Sequence, residues 1–506
     1  MNTDKARQLE AAYELLQGHG VSLESYNLTT FQPAFVPIVE WPPGYSFLIA
    51  GTSFFTGGNV YKASFILDAL ALTGLWVCLL WLTSLLQFEL LPRCALFLFL
   101  GISKPPLNEI PSADLCGTVA FLAACGLAVW HMSKPLLQRK PLIFFGGQSV
   151  FLFIMVSLKY SLLPACFAIG ASFIVYSFFS KENFYKTGLA LLGLFGVCLF
   201  AVFLYNDMRS GHLNGLYNRY ASPERHLHLS NLTLFNPFII ATFFHLDVFR
   251  QRFNIPVVQA VAVAATAALF IVIVIAIFQK IKKSQAVFFD HLVYTVIISV
   301  VAFLAALSVY LPKDIHPTLQ WTYVKDFRYF APAVFMVLLY LLKNFRFELK
   351  RKNLQTMLSV FTTASMAFAL LLGIYYWMIH NQAASYANLN EKYWRIQHVV
   401  DSLKNDQTYF ISLTAQAGDD PGGRLQDTKA ASVIATSGTK VIVSGEGYFP
   451  VANYSALFAD SVLLAPGKQI IVFIDRNTKL LDSLNLHNRH QLGQTAYGEK
   501  YLVINN

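Results

Sequence analysis

The sequence predicts a mainly α, polytopic membrane protein with a small α/β domain at its C-terminal end, and three observations predict it. Of 506 residues, 55% are hydrophobic and 13% charged, where soluble domains carry about 25% charged residues; mean hydropathy is +0.49. Apolar runs approaching the ~20 residues that a membrane helix needs recur along the first three quarters of the chain. After about residue 380 these runs shrink to strand length and alternate with helical patterns, which implies packed α and β layers.

The elements follow in order. Residues 3–18 read as a helix, with Leu9, Ala12, Tyr13 and Leu16 at helical spacing and Gly18-His19-Gly20 as its stop. Residues 21–42 show no period and end in the stiff Trp41-Pro42-Pro43. Tyr45 begins a short apolar helix ended by Gly57-Gly58; it is too short to span and is expected at the outer membrane surface. About ten spans follow, near 62–87, 91–103, 115–132, 142–158, 161–180, 187–205, 256–279, 287–311, 329–343 and 354–379. Those at 91–103 and 329–343 are short and must extend into their flanks, as far as Pro92 and Lys325 allow. In the last region, 409–413, 440–444, 469–474 and 501–504 read as strands, and 389–404, 427–436 and 454–461 as helices. The expected domains are 1–61, 62–379 and 380–506.

Charge sets the orientation. Basic residues gather at Arg93; Lys134, Arg139 and Lys140; Lys181 and Lys186; Lys280, Lys282 and Lys283; and Lys343 through Lys352. Short basic loops stay cytoplasmic, so the intervening breaks, both termini and the 380–506 domain are expected outside. The net charge of +10 is largely these flanks and points to anionic lipid, with no nucleic-acid partner. An outer N-terminus that is polar and carries no signal peptide has no ready route across. The pattern therefore predicts one more apolar helix encoded before Met1, and genomic sequence lacking such an in-frame run overturns that expectation. Six cysteines lie in or beside apolar spans without metal-ligand spacing and read as small buried hydrophobes.

The outer breaks hold the candidate chemistry. Asp4 opens the first helix, where an acid also serves as a cap. Glu40 precedes Trp41-Pro42-Pro43-Gly44-Tyr45, where it either orients the turn or binds a sugar hydroxyl. Asp114 opens a span and reads equally as cap or active-site acid. Lys159-Tyr160 interrupts two apolar runs; snorkelling explains the lysine, and so does a phosphate partner. Arg328-Tyr329 places a cation of bidentate geometry at a helix mouth. His226-Leu227-His228 has no plausible companion ligands. Acids and cations gathered on one membrane face suit transfer from a lipid-phosphate donor, the cations holding the phosphate and a carboxylate taking the acceptor's proton.

The order of these motifs resembles the GT-C glycosyltransferases of the dolichyl-phosphate-mannose–protein mannosyltransferase type and their bacterial relatives, the lipid A aminoarabinose transferases (glycosyltransferase family 39). Asp4, Ala11, Leu15 and Gly18 fit that family's first outer helix, and Trp41-Pro42-Pro43-Gly44-Tyr45 its juxtamembrane segment. Lys62 then opens a span, Asp114 another, and Lys159-Tyr160 and Arg328-Tyr329-Phe330-Ala331-Pro332 follow in order. Over residues 1–380 the resemblance implies sugar transfer from a polyprenyl-phosphate donor on the outer face of a bacterial inner membrane. It makes Asp4 the general base and Asp114 a second catalytic acid. Lys159, Tyr160, Arg328 and Tyr329 would hold the donor phosphate, and Glu40, Trp41, Pro43 and Tyr45 would position substrate. No cofactor is called for. A divalent metal is left open, because Lys5 follows Asp4 where several relatives carry a second acid. The acceptor is a lipid, a polysaccharide or a protein, and membrane lipids surround the chain. A transporter or flippase of lipid-linked sugars would also want such cations, but it usually shows internal repeats, and none is visible. A scaffold for the outer domain would tolerate changes at Asp4 and Arg328.

Overall fold

The computed structural model describes residues 3–26, 32–38, 41–102, 112–180, 183–211, 213, 271–283, 286–310, 327–344, 391–403, 406–414, 425–426, 428–441, 467–474, 490–494 and 500–505, and the structural statements below concern these. The chain forms two compact units. One comprises Met1–Ile38, Tyr45–Leu67 and Met378–Asn506, the other Val39–Gly44 and Asp68–Trp377.

The first unit begins with α1 (Thr3–Leu16), which stops where Gly18 adopts φ 90° and Gly20 φ 77°. α1 is an inner helix of this unit: every residue from Lys5 to Ala12 is buried, charged ones included. Strands β1 (Ser22–Tyr26) and β2 (Pro33–Pro37) then pair antiparallel, Ser22 opposite Pro37 and Tyr26 opposite Pro33. This hairpin falls in the segment that showed no period. Its two prolines take the terminal register positions, where a missing N–H costs least, and they masked the strand. α2 (Gly44–Ser53) continues into a 3-10 turn, Phe54–Thr56, and ends at Gly57 and Gly58, with φ 65° and 82°. Ser46 Oγ donates to the Gln8 carbonyl at 3.1 Å, tying α2 to α1. At its far end Phe54 and Phe55 stand 79% and 87% exposed, an apolar tip that water solvates poorly.

The second unit is helical. Its elements are the greater part of α3 (Val60–Leu85), α4 (Leu90–Ile102), α5 (Ser112–Ser133), α6 (Pro141–Leu158), α7 (Leu163–Ser180), α8 (Tyr185–Ser210), α9 (Phe288–Tyr310) and α10 (Phe327–Asn344). Residues 271–282 are also helical. Among the described residues, five helices are long and apolar enough to cross a membrane: Val60–Leu85, Ala113–Ser133, Pro141–Leu158, Tyr160–Ser180 and Tyr185–Ser210. The expected span at 354–379 lies outside the described residues. α4 starts at Leu90, beyond the limit set at Pro92; a proline in the first turn lacks only an N–H that would have no intrahelical partner. α5 packs on α6, and α7 lies between α8 and α9. Small residues allow close crossings: a Cβ at Gly188 of α8 would stand 2.8 Å from the Gly170 carbonyl of α7, the tight approach favoured between membrane helices. α5 is the centre and α8 the rim, with 83% and 22% of their apolar windows buried. The rim presents Val197, Phe200 and Met208 outward, as a lipid-facing surface would.

The first unit resumes with α11 (Glu391–Leu403), β3 (Thr408–Thr414), β4 (Leu425–Gln426), α12 (Thr428–Ala435), β5 (Lys440–Val441), β6 (Gln469–Ile474), β7 (His490–Gln494) and β8 (Lys500–Asn505). The sheet runs β4-β3-β6-β8-β7, with β5 also on β3. β3 pairs parallel with β5 and β6 and antiparallel with β4; β8 is antiparallel to β6 and β7. Ile396 and Val400 of α11 and Ala431, Ile434 and Ala435 of α12 close over Phe410, Val441, Ile471 and Phe473 of the strands. α1 packs against α12, so the two ends of the chain share one unit. The expected helix at 454–461 lies outside the described residues.

Candidate functional site

In the helical unit the sequence places two adjacent polar residues where a helix has to stop. α6 ends at Lys159, whose backbone is extended (φ −160°, ψ 132°) while its N–H still donates to the Met155 carbonyl. Tyr160–Leu162 then form a 3-10 turn leading into α7. The break turns the Lys159 side chain toward the first turn of α5. There Nζ meets Asp114 Oδ2 at 2.7 Å. Lys159 is 6% and Asp114 2% exposed. Asp114 also complements the positive end of the α5 dipole, and its own carbonyl accepts from Thr118 Oγ1 at 2.7 Å. Its other oxygen, Oδ1, is buried with no hydrogen-bond partner. A buried ion pair gains little for stability, yet losing one partner strands the other. Such a pair with an open acceptor is what a polar site at the edge of an apolar bundle looks like.

Tyr160 beside it is half-buried. Its hydroxyl accepts a 2.7 Å hydrogen bond from Nδ2 of Asn206, a fully buried residue in the last turn but one of α8. Gly211, at φ 72°, ends that helix, which brings the Leu213 carbonyl back to the same amide at 3.3 Å.

The Trp-Pro-Pro-Gly run reaches this neighbourhood too. Trp41, Pro42, Pro43 and Gly44 are buried, and a Cβ on Gly44 would lie 2.5–2.7 Å from Ser157, two residues before Lys159. Only glycine fits that close approach of backbones. Tyr45 is fully buried in the other unit.

Of the sequence-predicted residues, the structure brings Asp114 together with Lys159, while Tyr160, the next residue in the chain, bonds to Asn206. Asp4 and the pair Arg328-Tyr329 fall in the opening turns of α1 and α10, with side chains outside the described residues, as is the whole of Glu40. Lys62 is exposed on α3. Among the described residues, no three His, Cys, Asp or Glu side chains gather as a metal set.

Sequence reasoning passed over three buried polar residues. Asp68 is 4% exposed within α3; an acid inside an apolar run was signal enough. Asn206 lies just past the expected 187–205 span, whereas α8 runs on to Ser210 and carries it. Glu10 is fully buried in α1, and both carboxylate oxygens lack a formed hydrogen bond. Burial pushes its carboxyl up to about 8; Ser432 and Arg7 oppose the rise, and Glu14 and Glu24 add smaller contributions to it. Glu14 is raised as well, chiefly by burial, despite His19 Nδ1 at 2.7 Å.

No family model and no curated protein matches the chain. Two solved structures resemble it over 99% of its length and 93% of theirs. One is ArnT from Cupriavidus metallidurans in the apo state, at 12% identity and a TM-score of 0.40. The other is the same protein bound to undecaprenyl phosphate, at 13% identity and a TM-score of 0.44.

Proposed function

We propose that this chain is an integral-membrane glycosyltransferase that moves a sugar from a polyprenyl-phosphate donor to an acceptor on the outer face of a bacterial inner membrane. The observation that carries the reading is the buried Lys159–Asp114 pair with Tyr160 beside it, at the end of an apolar helix. The family-like order of motifs in the sequence supports it.

In this reading Asp114 fixes the Lys159 ammonium in place, and the ammonium supplies the charge that a phosphate leaving group needs. Tyr160 adds a hydroxyl, and Arg328 with Tyr329 completes the phosphate site. Asp4 takes the acceptor's proton. Asp114 Oδ1, Glu40 and the Trp41–Tyr45 segment position the sugar, the acceptor or a divalent ion. The exposed Phe54 and Phe55 dip into lipid, and residues 380–506 form an extracytoplasmic domain.

The test is donor consumption by the purified protein in liposomes, with a panel of polyprenyl-phosphate sugars and membrane extract as acceptor. One donor should be consumed, and Asp4→Asn should abolish turnover without altering the melting temperature. Normal turnover in that variant removes Asp4 from the mechanism. Consumption of no donor removes the transferase reading and directs the next assay to lipid translocation.

A further inference from the structure

The hydrogen-bond inventory around Tyr160 fixes the direction in which its hydroxyl can donate. Asn206 is fully buried, and its amide faces two oxygens, Tyr160 Oη at 2.7 Å and the Leu213 carbonyl at 3.3 Å. A carbonyl can only accept, so the atom facing Leu213 must be the amide nitrogen; the flipped amide would set two acceptors against each other. The same nitrogen then donates its second hydrogen to Tyr160. Tyr160 Oη is thereby the acceptor, and its own proton must point elsewhere. Among the described residues no group accepts it. Asn206 Oδ1 is buried and without a hydrogen bond as well. An arrangement evolved only to tie α8 to the turn after α6 would satisfy these valences internally.

We infer that Asn206 is a positioning residue: by donating to Tyr160 it commits the tyrosine O–H proton to an incoming anion, the phosphate of the lipid-linked donor. This rests on the donor-phosphate reading above. An aspartate at 206 would reverse the bond, since a carboxylate accepts only and would draw the Tyr160 proton inward.

The test measures binding of a polyprenyl phosphate, and of the matching uncharged polyprenol, to the full chain in nanodiscs. Wild type should prefer the phosphate. Tyr160→Phe should weaken phosphate binding about tenfold, the scale of one hydrogen bond to a charged group, with polyprenol binding unchanged. Asn206→Asp should reproduce that loss, and the Y160F/N206D double variant should bind no more weakly than Y160F. A wild type without phosphate preference overturns the donor reading and this inference with it. A wild type that prefers phosphate, beside an N206D that binds like wild type, overturns the positioning role alone. So does an N206D loss that multiplies with Y160F, because added negative charge or a packing defect would act without Tyr160. If N206D fails to fold, Asn206→Ala takes its place: it frees the proton without turning it, so it should lose less than Y160F and nothing further in the Y160F background. Multiplied losses there overturn the inference.

Discussion

Asp114 and Glu10 are both carboxylates buried within a helix, yet the chain treats them oppositely. Asp114 has Lys159 at 2.7 Å. Glu10 has no formed hydrogen bond, and burial lifts its carboxyl to about 8. A buried carboxylate persists either as half of an ion pair or by keeping its proton. The helical unit uses the first solution beside its candidate site. The α/β-containing unit uses the second, at the seam where α1 packs on α12. One acid therefore answers to its partner and the other to pH.

Removing the partner should break this contrast most strongly. Lys159→Met leaves Asp114 buried and alone, and should destabilise the helical unit by about 3–5 kcal/mol, read as a lowered thermal midpoint in detergent. The double variant Lys159→Met/Asp114→Leu should recover most of that loss, since an apolar pair replaces an ionic one. It should not recover donor consumption. Recovery of turnover would assign the pair to packing alone.

Changing pH should sharpen the contrast next. Below the ordinary carboxyl value of 4.5, Glu10 is protonated folded or unfolded and costs nothing; the penalty grows as pH rises toward about 8, where the folded form finally ionises. Stability of the α1 seam should fall across that window by up to about 1.4 kcal/mol per pH unit. Glu10→Gln should flatten this contribution, measured by hydrogen exchange of α1 amides at pH 5 and pH 8. A slope unchanged in the variant would assign the dependence to Glu14 and its neighbours.

The smallest expected effect is steric. Gly44→Ala forces a methyl into the Ser157 backbone and should cost about 1–3 kcal/mol, the usual scale for overpacking. If the run from Trp41 serves the candidate site, donor affinity should fall with stability. A stability loss alone would leave the run a structural wedge.

The long apolar runs were legible because a membrane helix is written in contiguous sequence. Residues 115–132, 142–158 and 161–180 coincide closely with α5, α6 and α7. The polar interruption at Lys159-Tyr160 was legible for the same reason, since two polar residues between apolar runs must mark a break. The β1–β2 hairpin was hidden because prolines closed both ends of β2. α1 was legible as a helix, but the burial of four of its charged residues, Lys5, Arg7, Glu10 and Glu14, was not, because it depends on what packs against them.

The sequence alone determined the long apolar helices α5, α6 and α7 and the identity of the two polar residues at the break, because hydropathy and helix-breaking act over a few neighbouring residues. Only the tertiary structure decided their partners. Asp114 is 45 residues from Lys159 and Asn206 is 46 from Tyr160. Whether a buried charge is paired, protonated or aimed at a ligand depends on what folding brings within 3 Å, and no local pattern encodes that.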